Sequence, residues 1–207
     1  KNNNELVAIL GNFVNRTLVL THKYYEGKVP VAAEYTKNDI LLLEEISKYP
    51  AKIAASIEQY RFREALGELM NLARLGNKYL ADNEPWILIK TDEKRVQTIM
   101  NLSLQISANL SVLMEPFLPF TAKKLGMMLN LNSELKWNDA TRTDLLLPGH
   151  QINPSSLLFD KVEDDVIVAQ VQKLENSKKE NEAATIAAVE AAKPEKSFDD
   201  FSKDRKS

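Results

Sequence analysis

Apolar residues recur along this chain at three- and four-residue intervals, the period of helices that bury one face. Leu6, Ile9, Leu10, Phe13, Val14 and Leu18 predict a helix over 5–26, stopped by Gly27 and Pro30. Thr36 or Asn38 is placed to cap the next helix, because a short side-chain oxygen accepts from the first free amides. An apolar segment follows at Ile40, Leu41, Leu42, Leu43 and Ile46. Pro50 should kink or divide it before the pattern resumes at Ile53, Ala54 and Ile57. The strongest run is Tyr60 to Tyr79, with Phe62, Leu66, Leu69, Met70, Leu72, Ala73 and Leu75 as its apolar positions, followed by Leu80. Thr91-Asp92 starts a helix over 94–114, and Pro116 opens another over 116–130 in which Ala122, Leu125, Met128 and Leu129 face inward and Met127 is core filler.

Periodicity is lost over 131–159, around Trp137, Pro148, Gly149, His150 and Pro154, so this segment is irregular and laid back on the helices. Residues 160–192 return to a charged, Ala- and Glu-rich helix with Val162, Ile167, Val168 and Val171 on one side. The expectation is an all-α protein. A bundle of about five helices fills 1–159. A helical extension over 160–192 packs back on it and then serves as a linker, and 193–207 is a mobile tail.

Composition narrows the function. There is no cysteine, which excludes disulfides and cysteine-ligated metal sites in this chain. No run is apolar enough to span a bilayer, and no signal peptide is visible. The chain opens on Lys1 without Met, as a segment of a longer protein would. Residues 1–150 carry 18 basic and 17 acidic side chains, and 151–207 carry 9 and 12. A body this close to neutral is unsuited to indiscriminate polyanion binding, so any nucleic-acid contact is local.

Gly76 to Lys90 closes one helix and sets up the next. Pro85 fixes its own φ and pushes Glu84 out of the helical region, and Trp86 follows this rigid corner directly. The indole is either a core residue that starts the next helix or a presented stacking platform. Asn12 and Arg16, four apart on the first helix, share a face. They form either a solvated edge or a fork of donors and acceptors suited to base edges. Asn15 and His22 lie nearby with weaker claims. Arg61, Arg63, Arg74 and Lys78 decorate the long helix as exposed charges, a few of which could touch phosphates.

No reaction centre assembles from the sequence. His22 and His150 are far apart and lack metal-ligand spacing, and there is no glycine-rich phosphate loop or nucleophile elbow. No catalytic residue, metal site or cofactor is expected in this chain.

Several stretches together resemble the C-terminal anticodon-binding domain of bacterial methionyl-tRNA synthetases, class I enzymes. They are Gly11-Asn12-Phe13-Val14-Asn15-Arg16, Glu68 to Ala73, Gly76-Asn77-Lys78-Tyr79 running to Glu84-Pro85-Trp86, Met114 to Phe120, and Leu157 to Asp164. The match spans roughly 5–175 in order. The resemblance implies that Asn12 and Arg16 contact anticodon bases and that Trp86, on the Pro85 corner, stacks on the first of them. It implies a methionine tRNA partner, a cytoplasmic setting and attachment to a catalytic domain. ATP, magnesium and a zinc knuckle would reside in that upstream domain, whose motifs this chain lacks, so it should not charge tRNA alone. Residues 176–207 resemble the linker towards an OB-fold tRNA-binding module, with Phe198-Asp199-Asp200-Phe201 like that module's opening. Such a module could make the parent a homodimer, whereas this chain should be monomeric. The competing reading is a helical scaffold for protein contacts, with Trp86 buried and no RNA.

Overall fold

The structure, a computed structural model, describes residues 2–131 and 135–191. It divides into two compact units, Lys1–Lys161 and Val162–Ser207. The tail 193–207, with Phe198 and Phe201, lies outside the described residues. Among the described residues the secondary structure is helical, apart from an isolated antiparallel bridge between Lys28 and Gln151.

The first predicted helix forms in two parts. Asn2–Gly11 is wound as a π-helix, and α1 continues from it over Asn12–Tyr25. The chain then turns through left-handed Glu26 and Gly27, at the predicted stop. Thr36 caps α2 (Lys37–Ile46). Its hydroxyl accepts from the Asp39 amide, and the Asp39 carboxylate accepts from the Thr36 amide. Pro50 divides the segment, because a ring without an amide hydrogen is tolerated only in a first turn. It sits there in α3 (Tyr49–Glu58). α4 (Phe62–Asn83) is the long amphipathic helix, and it buries Ala65, Leu69, Leu72, Ala73, Gly76, Tyr79 and Leu80. The short α5 (Pro85–Leu88) leads to α6 (Glu93–Leu113), capped by the Asp92 carboxylate. α7 (Pro119–Met128) starts at the second proline of the Pro-Phe-Leu-Pro run, not at Pro116, which lies in a turn.

α6 is the central post of the first unit. A helix covered on all sides must satisfy every polar group it carries. Buried Ser103 and Ser107 donate to carbonyls one turn back on α6. Asn101 donates to the Pro30 carbonyl, Gln105 both donates to and accepts from the Leu146 backbone, and Asn109 donates to the Arg142 carbonyl, its own Oδ1 being the exception that stays buried without a partner among the described residues. The irregular segment is therefore clamped onto the bundle by α6. Val29 adds backbone bonds to Gly149 and His150. Trp137–Thr141 forms a short 3₁₀ turn within the segment.

The apolar pattern overstated burial at several positions. Met127 is 57% exposed whereas Met128 is buried. Ile40, Leu41, Phe62 and Leu66 are also exposed. Periodicity identifies a face, but whether another element covers that face is a tertiary matter. In the second unit, α8 (Asp164–Ala191) forms where the charged helix was expected.

The contact between α1 and α4 is close. A Cβ on Gly76 would lie 2.5, 2.7 and 2.8 Å from ring carbons of Phe13, which is fully buried. Gly76→Ala is expected to force the ring or the helix aside and destabilise the unit by about 1–3 kcal/mol, measured by urea unfolding. An unchanged midpoint would show that the α1–α4 seam yields without cost.

Candidate nucleic-acid interface

The Pro85-Trp86 corner forms at the expected place, with Glu84 outside the right-handed helical region. Proline disfavours the helical region for the residue before it, and Glu84 takes the left-handed region, with φ 40° and ψ 57°. The Glu84 amide donates to the Leu80 carbonyl and closes α4. Pro85 is buried in the first turn of α5, while Trp86 is half-buried and Ile87 exposed.

Three elements hold the corner from behind. Asn83, the last residue of α4, accepts a 2.8 Å hydrogen bond from Arg95 of α6 and donates to the Tyr79 carbonyl. The Arg95 guanidinium also grips Asp39 of α2 in a forked pair, at 2.5 and 3.0 Å. The Tyr79 hydroxyl donates to the same carboxylate at 2.6 Å, and the Thr36 amide and hydroxyl each donate at 2.8 Å. Asp39 is 0% exposed. Burial alone would raise its pKa, but the bonds from Arg95, Tyr79 and Thr36 outweigh it and hold the carboxyl at about 2. Tyr79 is displaced upward by burial and by donating to Asp39. Nothing in the spacing of Asp39, Asn83 and Arg95 marks them as partners, and the sequence reading missed all three.

In front of the corner stands α1. The Arg16 guanidinium carbon lies 4.5 Å from the centre of the Trp86 ring, a cation–π stack. Two residues 70 positions apart, singled out separately in the sequence, therefore meet face to face. Arg16 is half-buried and Asn12, one turn earlier on α1, is exposed. A groove of about 340 Å³ runs beside Asn12, with Asn15 and Phe159 on its walls. His22 is taken up by the Asn153 carbonyl, at 2.9 Å, and is not joined to this group. Among the described residues no three His, Asp or Glu side chains gather as metal ligands.

The arrangement suits unpaired bases. An aromatic ring and a guanidinium plane both offer stacking surfaces, and the Arg and Asn edges offer hydrogen bonds to base edges. It offers nothing for covalent or acid–base catalysis.

Comparisons with known proteins identify the family of the chain. A family model described as the anticodon binding domain of methionyl tRNA ligase matches residues 29–179. That span includes Pro85 and Trp86 and begins after Asn12 and Arg16. The chain is 55% identical over 207 residues to a methionine–tRNA ligase of Flavobacterium psychrophilum, covering 98% of the chain and 30% of that protein. It is 56% identical over 203 residues to one of Cytophaga hutchinsonii, covering 98% of the chain and 29% of that protein. The chain thus spans under a third of the length of these relatives. Among solved structures, a Mycobacterium tuberculosis methionyl-tRNA synthetase in complex with methionyl-adenylate superposes with a TM-score of 0.70 at 23% identity. That match covers 77% of this chain and 32% of the other, and it supports the fold alone. With a family match over most of its length and relatives above half identity along nearly all of it, the chain belongs to the family of anticodon-binding domains of methionyl tRNA ligases.

Proposed function

We propose that this chain recognises the methionine anticodon of tRNA on behalf of a methionine–tRNA ligase. The observation that carries this reading is the Arg16–Trp86 stack beside exposed Asn12. Arg16 covers one indole face. An anticodon base therefore stacks by continuing that column on the outer guanidinium plane or by displacing the guanidinium from the ring. Both routes use the same two residues. Asn12 and the edge of Arg16 then read base edges, each good pair being worth about 1–3 kcal/mol of discrimination. The Asp39–Arg95–Asn83 brace keeps the corner from shifting when a base arrives. Attachment of methionine with ATP belongs, on this reading, to the rest of the ligase. So do magnesium, the zinc knuckle and any dimer contact, and this chain by itself is a monomer.

The test is a titration with two anticodon stem-loops, one carrying the methionine anticodon and one altered at its first base, at two salt concentrations. Preference for the methionine loop at both salts is expected. Equal, strongly salt-dependent binding would mean that only phosphates are touched, and it would overturn base readout.

A further inference from the structure

The turn between α3 and α4, far from the Pro85-Trp86 corner, carries a feature that the fold does not need. α3 ends in a Schellman motif: the Tyr60 amide donates to the Ile57 carbonyl at 2.9 Å, and the Arg61 amide to the Ser56 carbonyl at 2.8 Å. The motif requires a left-handed residue at Tyr60, a place glycine or asparagine fills cheaply and a bulky aromatic does not. Tyr60 nevertheless adopts φ 57°, and its side chain is not buried in return: the residue is 82% exposed. Its ring meets the edge of Phe62, at 6.3 Å between centroids, and Phe62 is itself 55% exposed.

Arginines alternate with these rings, giving Tyr60-Arg61-Phe62-Arg63, all four exposed. Arg61 is paired with Glu64 at 3.2 Å, whereas Arg63 makes no ion pair among the described residues. One helical turn beyond Arg63, Gly67 has nothing within 4 Å of where a Cβ would stand. A glycine inside a helix lowers its stability relative to alanine, and here no neighbour requires it. It leaves the surface beside Arg63 open to close approach.

Resting on the anticodon reading above, we infer that this turn is a second RNA contact, which holds the limb of the tRNA leading away from the anticodon loop. α4 ties the two places together rigidly. Its 22 residues, at 1.5 Å each, place the turn about 33 Å along the helix axis from the corner. A folded tRNA carries its backbone away from the anticodon over such a distance. Exposed aromatic rings stack on bases or lie against riboses irrespective of sequence, and a guanidinium holds a phosphate. The contact therefore adds affinity without adding anticodon discrimination. This separates it from the Asn12, Arg16 and Trp86 group.

The experiment titrates the whole chain with two complete tRNAs, one with the methionine anticodon and one altered at its first anticodon base, across a range of salt. Tyr60→Asn keeps a residue that tolerates the left-handed region, and Arg63→Gln keeps length and helix propensity. Both variants should melt within a few degrees of the parent. Tyr60→Asn is expected to weaken both tRNAs equally, by about tenfold, leaving their affinity ratio unchanged. Arg63→Gln is expected to do the same and to lower the slope of log affinity against log salt by about 0.7–0.9, the signature of one phosphate contact. If the parent prefers the methionine tRNA and both variants bind as it does, the second contact is wrong and the turn faces a protein partner instead. A changed affinity ratio would also overturn it, because the turn would then be acting through the corner. If the parent shows no preference and both variants still weaken binding, the second contact stands and the anticodon reading fails.

Discussion

Replacing Trp86 with alanine should weaken binding of a methionine anticodon stem-loop by one to two orders of magnitude. Base–aromatic stacking is worth roughly 1–3 kcal/mol, and about 1.4 kcal/mol is a decade in affinity. The substitution also removes the surface on which Arg16 is laid out, 4.5 Å from the ring. A guanidinium released from that stack regains rotamer freedom and must be ordered again when RNA binds, which adds to the loss. Trp86→Phe keeps an aromatic face and should lose far less, so the pair of variants separates stacking from bulk. Arg16→Gln should reduce discrimination between anticodons more than Trp86→Ala does, since the guanidinium supplies the base-edge donors. Fluorescence in a Trp137→Phe background reports the indole directly, and quenching on addition of stem-loop is the expected signal. Trp86 is only half-buried, so the alanine variant is expected to fold. A folded Trp86→Ala protein with parental affinity would remove the platform from the mechanism.

Much of this site was legible because local rules generate it. A proline after a long amphipathic run pushes the residue before it out of the helix, and Glu84 does leave it, though for the left-handed region rather than the extended one that a following proline favours. Pro50 divides α2 from α3, and Thr36 caps α2, for equally local reasons. Asn12 and Arg16 share a face because four residues make one turn. That Arg16 would lie on Trp86 was not legible, since no spacing rule relates residues on different helices. The Asp39–Arg95 pair is separated by 56 positions and was hidden for the same reason. Periodicity also failed at Phe62 and Leu66. Both fit the helical apolar pattern of α4, yet they stand exposed at its first turns. Residue type predicts a wish for burial, and at that end of α4 the fold leaves it unmet.

The largest effect on stability is expected from Arg95→Met. Among the described residues Arg95 is the only positive charge bonded to the buried Asp39 carboxylate, and it also holds Asn83. Breaking a buried pair from one side leaves a charge without its counterion, at a cost of about 3–5 kcal/mol. In a domain of this size that corresponds to roughly 10 °C in melting temperature. Tyr79 and Thr36 still donate to Asp39, so the lower part of the range is the better expectation. Removing the charge as well, in Asp39→Asn with Arg95→Met, should cost less than the sum of the two single changes. The dependence on pH follows from the same geometry. Asp39 is held at about 2, below its unfolded value near 3.9. Its contribution is therefore complete above about pH 4 and is lost as pH falls through about 2, roughly 2–3 kcal/mol in all. Without Arg95, burial is opposed only by neutral donors and the carboxyl titrates higher, so less of that stabilisation exists to lose. The deficit of Arg95→Met should accordingly be largest at pH 7 and shrink by pH 2.5, as measured by urea unfolding of parent and variant at both values. An equal deficit at both would mean that the guanidinium acts through packing and its bond to Asn83 rather than through the charge on Asp39. Because that bond anchors the last residue before the corner, the same variant should also bind the methionine stem-loop more weakly at temperatures where it remains folded.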